Sequence, residues 1–152
     1  MRAPFQVLVI PFRRTPGAWE FAVLKRSDAD YWQFVAGGGE NGETPVQAAQ
    51  RETREEVGIA GELLQLDSLS TVPRDCFEAA AAWGEDVFVI PEHAFAVNVG
   101  RHDLSLSQEH TEFQWLPFDE AFRVLKWDSN RNALWELNER LNAPNQPFER
   151  AP

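Results

Sequence analysis

The chain has 152 residues, of which 43% are hydrophobic and 12% aromatic. This is enough to build the core of one domain and leaves no room for a second. The formal net charge of −10 argues against a surface that coats nucleic acid, because binding to the phosphate backbone relies on clustered lysine and arginine.

The sequence shows no targeting signal, and this together with the cysteine usage predicts a cytoplasmic protein without a membrane partner. No apolar run approaches the ~18 residues of a membrane span, and the apolar residues 5–10 lack the small-residue cleavage site of a signal peptide. The single cysteine, Cys76, excludes an intramolecular disulfide and fits a reducing compartment. We interpret Cys76 as a small apolar filler of the core. The sequence carries no signal for oligomeric state.

The first part of the chain predicts three strands and a glycine-rich loop. Residues 5–12 and 19–25 are mostly apolar and flank a turn at residues 15–17, so we expect them to form a hairpin. Residues 31–35 form a third, short strand. The chain then enters a loop at residues 37–39, where three glycines would let the backbone approach an ion or a phosphate closely.

A helix is predicted over residues 45–57. Thr44 and Gln47 have the spacing of a capping box, and Pro45 suits the first helical position. Gly58 suits the left-handed residue that ends a helix. The residues expected on the stripe that faces the core are Val46, Ala49, Thr53 and Val57.

The opposite face of this helix carries three carboxylates. Glu52, Glu55 and Glu56 fall on one face at i, i+3, i+4 spacing, and they would repel one another if nothing neutralised them. A hard cation such as Mg²⁺, which takes oxygen ligands, is the simplest remedy, and Mn²⁺ is a possible substitute. Glu43 lies where it can pair with Arg51 and tie the glycine loop to the helix. A solvated acidic face is the alternative for the carboxylates taken alone.

The spacing from Gly37 to Ile59 resembles the Nudix box, G-x5-E-x7-R-E-U-x-E-E-x-G-U, in which U is an apolar residue. On this pattern the chain is identified as a member of the Nudix hydrolase superfamily. One position departs: Thr53 stands where the family usually has a bulky aliphatic residue. A Nudix-like ligand-binding module that has lost catalysis is the alternative, although such proteins typically lose a box carboxylate, and this chain keeps them all.

The resemblance implies an enzyme in which water cleaves a diphosphate linkage with the help of bound metal. It implies that the Gly37 carbonyl and three box carboxylates bind the metal, and that Arg51 orients the carboxylates through Glu43. The three carboxylates are Glu52, Glu55 and Glu56.

The second part of the chain predicts further strands and two helices. Strands are expected over residues 62–72, over residues 86–99 with a bulge or break at residues 91–92, and over residues 112–116. Residues 77–84 fit either a loop or a helical turn.

Helices are expected at residues 118–122 and 130–141. With one helix on each face of a mixed β-sheet, the fold class is α/β, an α/β/α sandwich, as the Nudix resemblance also implies. We expect a single domain over residues 1–143 and a poorly ordered tail over residues 144–152.

Similar Nudix enzymes carry a Glu-His pair outside the box, which points to Glu109 here. Its carboxylate would act as an extra metal ligand or as the base for the attacking water. A solvated loop acid is the alternative, and Glu112 is the next candidate for the role. His110 is interpreted as a packing or loop residue rather than a ligand.

The substrate is predicted by resemblance alone. Three short segments resemble the Nudix branch that acts on dihydroneopterin triphosphate and dATP: residues 31–33, 109–110 and 127–131. Other nucleoside diphosphate derivatives and dinucleoside polyphosphates remain open. No P-loop pattern exists, which disfavours a kinase or a motor ATPase.

From this resemblance, Trp32 is expected to help form the pocket for the substrate ring. Arg131 and Asn130 in the first turn of the last helix are expected to contact its phosphates, because amides there favour anions and an arginine can bind them bidentately. The alternative is an ordinary helix start capped by Asp128 or Ser129, with Trp127 filling the core.

Overall fold

The computed structural model describes residues 1–144 of the chain. Seven strands and three α-helices account for most of these residues. The strands are β1 (Arg2–Thr15), β2 (Ala18–Arg26), β3 (Trp32–Gln33), β4 (Val35–Glu40), β5 (Leu63–Pro73), β6 (Val89–Asn98) and β7 (His110–Leu116). The helices are α1 (Pro45–Val57), α2 (Phe118–Val124) and α3 (Asp128–Asn142). Residues 77–84, whose sequence fits either a loop or a helical turn, contain a 3-10 helix at Glu78–Trp83. Another 3-10 helix precedes it at Arg74–Cys76.

All seven strands belong to one mixed sheet with the order β3-β2-β1-β6-β5. The long strand β1 pairs antiparallel with β4 along its first half and with β2 along its second half, so β2 and β4 share the same side of β1. On its other side β1 runs parallel to β6. Strand β7 pairs with β2 and is antiparallel to it.

Helix α1 begins and ends as the sequence predicts. The capping box of Thr44 and Gln47 is formed in both directions, and Gly58 adopts the left-handed conformation with φ of 72°. Thr53 is buried, and its hydroxyl donates to the Ala49 carbonyl at 2.7 Å, so a threonine is accommodated without an unpaired polar group. The prediction for Val46 is wrong: its side chain is 38% exposed.

Two hydrophobic clusters cover the two faces of the sheet. One contains the buried apolar residues of α1, including Ala48, Ala49 and Val57. The other contains the buried face of α3, with Leu134 and Leu137, together with residues of α2. The expected α/β/α sandwich around a mixed sheet is therefore confirmed.

Three local predictions are corrected by strand pairing and burial. The glycines at residues 37–39 lie in β4 rather than in a loop, because they pair with β1. Neither a bulge nor a break occurs at residues 91–92, which pair continuously with β5. Pairing with β1 begins only at Glu92, so Pro91 faces β5 alone among the described strands, where a missing amide is tolerated. Cys76 is exposed rather than a core filler.

Within residues 1–144, none of the helices is long and apolar enough to cross a membrane. The predicted tail over residues 144–152 lies outside the described residues except for Pro144. The predicted extent of the domain and the cytoplasmic location stay predictions.

Candidate active site

Arg51 lies at the centre of the hydrogen bonds between α1 and β4. Its guanidinium donates to both carboxylate oxygens of Glu43, at 2.8 and 3.0 Å, so the expected ion pair is present. It also donates to the Gly38 carbonyl at 2.8 Å, to Glu52 at 2.9 Å and to Glu55 at 3.3 Å. The hydrogen bond to Glu43 raises the pKa of Arg51 well above its ordinary value, although burial opposes it. The Arg51 guanidinium therefore positions three carboxylates and the carbonyl of Gly38 in β4.

Glu52 lies directly against the backbone of β4. A Cβ atom at Gly37 would overlap the Glu52 carboxylate, so only glycine allows this approach. Burial raises the pKa of Glu52 to about 8, and the adjacent carboxylate of Glu56 adds to the effect. Two acidic groups are thus held close together in a partly dry environment.

Glu56 is the most buried of the three carboxylates, with 2% of its surface exposed. Its Oε1 lies 2.6 Å from the His110 Nε2, and its buried Oε2 makes no hydrogen bond of normal geometry within the described residues. Burial raises the pKa of Glu56 to about 8 and lowers the pKa of His110. The imidazole is therefore neutral, and its Nε2–H donates to Glu56 when that carboxylate is ionised.

The loop before β7 brings Glu109 to this pair. The loop is fastened to the end of α1, because the Ser107 amide donates to the Glu56 carbonyl at 3.0 Å and the Ser105 amide to the Val57 carbonyl at 2.9 Å. The ligand atoms of Glu56, Glu109 and His110 all lie within 4.8 Å of one another. Interpreting His110 as a packing or loop residue missed this arrangement, since the two residues in contact are 54 positions apart.

Glu112 lies elsewhere. Glu112 lies opposite Lys25 of β2, and the Lys25 Nζ is 4.0 Å from the Glu112 carboxylate. The structure therefore brings Glu109 rather than Glu112 to Glu56.

The donor set fits a hard divalent cation. It consists of carboxylate oxygens together with the carbonyl of Gly37, against which the Glu52 carboxylate packs. Burial raises the pKa of Glu52 and Glu56, and a bound cation would favour their ionised forms. The buried Glu56 Oε2, which makes no ordinary hydrogen bond within residues 1–144, is the kind of atom that such an ion would satisfy.

A cavity of about 980 Å³ opens beside the carboxylates. It extends from Gly37, Glu52 and Glu109 across the sheet to Tyr31 and Trp127. This is large enough for a ligand with a ring and a phosphate chain.

Arg2 and Arg26 supply the positive charge in the lining of the cavity. Arg2 crosses Gly38, where any Cβ would overlap its guanidinium, and lies over the Phe77 ring at 4.8 Å from the centroid. Arg26 is paired with Asp28 at 2.7 Å. Neither arginine was predicted for the site, and no local sequence pattern indicates them, since strand pairing alone carries them there.

The predicted substrate residues take different places. Asn130 is buried at the cavity wall, where its Oδ1 accepts from the Phe34 amide at 2.9 Å. Trp32 packs against the core on the α3 side of the sheet and is not among the residues that line the cavity.

Arg131 is engaged in the fold rather than directed at the cavity. It donates to the Leu125 carbonyl and to the Asp128 carboxylate. Neither Asp128 nor Ser129 caps α3, because the N-cap position falls on Trp127, which makes no side-chain cap. The structure thus brings Asn130 to the cavity but not Arg131 or Trp32.

Comparison with known proteins agrees with this fold. The NUDIX domain model matches residues 4–136. The chain is 34% identical over 137 residues to dihydroneopterin triphosphate diphosphatase of Escherichia coli (strain K12), covering 88% of this chain and 91% of that one. It is 31% identical over 118 residues to the asymmetrical bis(5'-nucleosyl)-tetraphosphatase of Mus musculus, covering 77% of each.

Among solved structures, a crystal structure from Listeria monocytogenes, described as that of a NUDIX hydrolase, matches with a TM-score of 0.83 and 43% identity. The match covers 91% of this chain and 94% of that one. The chain therefore belongs to the Nudix hydrolase family.

Proposed function

We propose that this chain is a Mg²⁺-dependent pyrophosphohydrolase that cleaves a diphosphate linkage in a pterin or nucleoside triphosphate, of the dihydroneopterin triphosphate or dATP type. The observation that carries the proposal is the group of carboxylates around the buried Glu56, two of which, Glu52 and Glu109, line a large cavity that also contains two arginines. The similarity to the Escherichia coli diphosphatase supports the pterin triphosphate as the first substrate to test.

Four carboxylates and one carbonyl are assigned to the metal. The carbonyl is that of Gly37, and the carboxylates are those of Glu52, Glu55, Glu56 and Glu109. A bound Mg²⁺ supplies positive charge to phosphoryl oxygens and lowers the pKa of water that it contacts.

The chain's own residues have separate tasks in this proposal. Arg51 holds the acidic side chains in place through its hydrogen bonds to Glu43, Glu52 and Glu55. Arg2 and Arg26 line the cavity and bind phosphate oxygens. Glu109, on the exposed side of the cluster, is assigned as an additional ligand or as the acceptor of the proton that the attacking water loses.

A dinucleoside polyphosphate is the second candidate substrate, favoured by the similarity to the murine tetraphosphatase. The two candidates share the diphosphate chemistry and differ in what occupies the far end of the cavity. A panel of dihydroneopterin triphosphate, dATP and diadenosine tetraphosphate, incubated with Mg²⁺ and analysed for pyrophosphate, orthophosphate and nucleotides, separates them. Release of pyrophosphate from the first compound at the highest kcat/KM is the expected result, and fastest cleavage of the tetraphosphate would favour the second candidate.

Glu56→Gln tests the metal assignment directly. We expect it to lower turnover by at least about 100-fold, since even partners of metal ligands cost 10- to 100-fold when they are removed. The fold should survive, because glutamine has the shape of the glutamate and carries no buried charge. Glu62→Gln, an exposed position just after α1, is the matched control. Full turnover by Glu56→Gln, or by the wild type in excess chelator, would refute the metal role.

A further inference from the structure

Glu92 is a buried carboxylate that lines the cavity away from the box acids. It lies on β6 and is 8% exposed. Its neighbour on β1 is Gln6, and the neighbour of Gln6 on the other side is Gly38 of β4. Residues paired in this way point to the same face of a sheet, so Glu92 and the Gly38 end of the cavity lie on one face of the sheet.

One oxygen of Glu92 is left without a partner. The Ser129 hydroxyl hydrogen-bonds to the carboxylate, and Ser129 in turn accepts from the Asn130 side chain at 3.3 Å. Asn130 is fixed by the Phe34 amide at 2.9 Å. The Glu92 Oε1 is buried and makes no hydrogen bond with any residue of the described chain.

An unpartnered carboxylate oxygen is costly unless a ligand uses it. Leaving a buried charged acceptor unsatisfied costs more than leaving a neutral group unsatisfied. Burial correspondingly raises the pKa of Glu92, with the Ser129 hydrogen bond opposing the change. Because Asn130 and Ser129 hold the carboxylate at the cavity wall, the arrangement is a fixed acceptor that faces a space large enough for a ring.

Within the cavity, the Glu92 carboxylate lies apart from the end near Gly38 and Arg2, where the proposed function places the phosphates. Gly38 and Glu92 lie two strand spacings apart, roughly 10 Å, on either side of Gln6. Tyr31 and Trp127, whose rings meet edge to face at 5.5 Å, line the same cavity. A flat heterocycle beside these rings can direct one edge at Glu92 while its phosphates reach Arg2 and the carboxylate cluster.

We propose that Glu92 determines specificity by accepting two adjacent N–H donors from the substrate ring, namely the exocyclic amine and the neighbouring ring N–H of a 2-amino-4-oxopyrimidine edge. This inference rests on the proposed function and narrows its substrate. Pterin and guanine share that edge. A carboxylate has about four lone-pair sites, so accepting from Ser129 leaves room for both donors.

The same geometry rejects adenine. Adenine presents an amine next to a ring nitrogen that carries a lone pair, and that lone pair would face the carboxylate. A site built to bond a substrate donor discriminates strongly against an analogue that lacks it, because the buried polar group is then left unpaired.

The test compares Glu92→Gln with wild type and with Glu62→Gln, an exposed control. The probes are dihydroneopterin triphosphate, dGTP and dATP with Mg²⁺, and pyrophosphate release gives kcat and KM for each. The variant keeps the size of the side chain but replaces one acceptor oxygen by an amide that opposes the ring donors. We expect KM for the preferred 2-amino substrate to rise at least tenfold with kcat little changed, while KM for dATP stays the same or falls, because the amide can donate to the adenine lone pair that the carboxylate repels. The arms for dihydroneopterin triphosphate and dGTP show which of the two rings the cavity prefers.

A second comparison uses dITP, which lacks only the exocyclic amine of dGTP. The two are compared as substrates or, where turnover is too slow, as competitive inhibitors. Wild type should favour dGTP by about tenfold, and Glu92→Gln should remove that preference, as expected when both changes disrupt one contact.

The remaining outcomes separate the two proposals. A wild type that cleaves pterin and guanine triphosphates, combined with a Glu92→Gln variant that weakens all substrates equally or none, would overturn the Glu92 inference and leave the proposed function standing. Preference of the wild type for dATP would do the same. A wild type that releases no pyrophosphate from any of the three triphosphates would overturn both.

Discussion

Three glutamates on one helix lie in three different environments, and the difference determines what each can do. The Glu55 side chain is 59% exposed and is paired with Arg51, so it adds charge near solvent. Glu52 is partly buried against Gly37, and Glu56 is buried beside His110. Carboxylates removed from water bind a cation more strongly than exposed ones, because there is less hydration to replace and less screening.

Glu109 is the residue whose role is most open to a direct test. Its carboxylate lies beside Glu56, whereas Glu112 faces Lys25 on the adjacent strand. We expect Glu109→Ala to lower kcat by about 10²- to 10⁴-fold, the range for loss of a general base. Glu112→Ala, a matched change three residues away, should cost less than tenfold. Melting temperatures of both variants should stay close to that of the wild type, and the reverse order of effects on kcat would move the assignment to Glu112.

At the scale of elements, α3 is tied to β5 by hydrogen bonds of Glu136 and by the pair of Arg140 with Asp67. The pairing of β5 with β6 shifts register between Gln65 and Leu69, which withdraws the intervening amides from the ladder. Glu136 of α3 accepts from the amides of Asp67 and Ser68, both at 2.7 Å, and from the Ser68 hydroxyl at 2.6 Å. The Arg140 guanidinium also donates to it, at 2.8 Å. The helix thus satisfies donors that the bulge leaves free.

Removing this carboxylate should lower stability in a pH-dependent way. Burial favours a higher pKa for Glu136, but the hydrogen bonds from Ser68, Asp67 and Arg140 outweigh it and lower the pKa. A lowered acid pKa means that the stabilisation is present above the unfolded value near 4.5 and is lost as pH falls through the folded value.

We therefore expect Glu136→Ala to lower the free energy of unfolding by about 1–3 kcal/mol at pH 7. The difference from wild type should shrink below pH 4.5, as measured by urea unfolding at several pH values. Glu139→Ala, at an exposed position of the same helix, is the control. A deficit that stays constant down to pH 3 would contradict this account of Glu136.

The sequence was informative where contacts are local and uninformative where strand pairing creates them. The ends of α1 and the pair of Glu43 and Arg51 follow from residue types at fixed offsets within about one or two helical turns. The contact of His110 with Glu56 and the link from Ser129 to Glu92 join distant segments and leave no periodic trace.

Arg131 shows that a local sequence pattern can also suggest a contact that the structure does not form. A basic residue in the first turn of a helix fits an anion site and a structural role equally well by pattern. The structure pairs it with Asp128 and the Leu125 carbonyl.

At the scale of the whole molecule, the candidate metal site joins segments from across the chain. Gly37 belongs to β4, Glu52 and Glu56 to α1, and Glu109 to the loop before β7. A ligand that binds all three segments binds only the folded chain, because unfolding separates them. Metal binding should therefore stabilise the entire fold rather than a local part of it.

This gives a prediction that does not depend on the substrate. At a Mg²⁺ concentration 100 times its dissociation constant, linkage adds about 2.7 kcal/mol to the free energy of unfolding. For a domain of this size, that corresponds to a rise in melting temperature of roughly 5–10 °C. Differential scanning fluorimetry at increasing Mg²⁺ measures the shift, with Ca²⁺ and Mn²⁺ run in parallel. In Glu56→Gln the shift should shrink to a small fraction of its wild-type size, whereas in Glu62→Gln it should be unchanged. An equal rise in all three proteins would show that the ion acts elsewhere on this acidic chain, and the assignment of the buried glutamates as metal ligands would then be wrong.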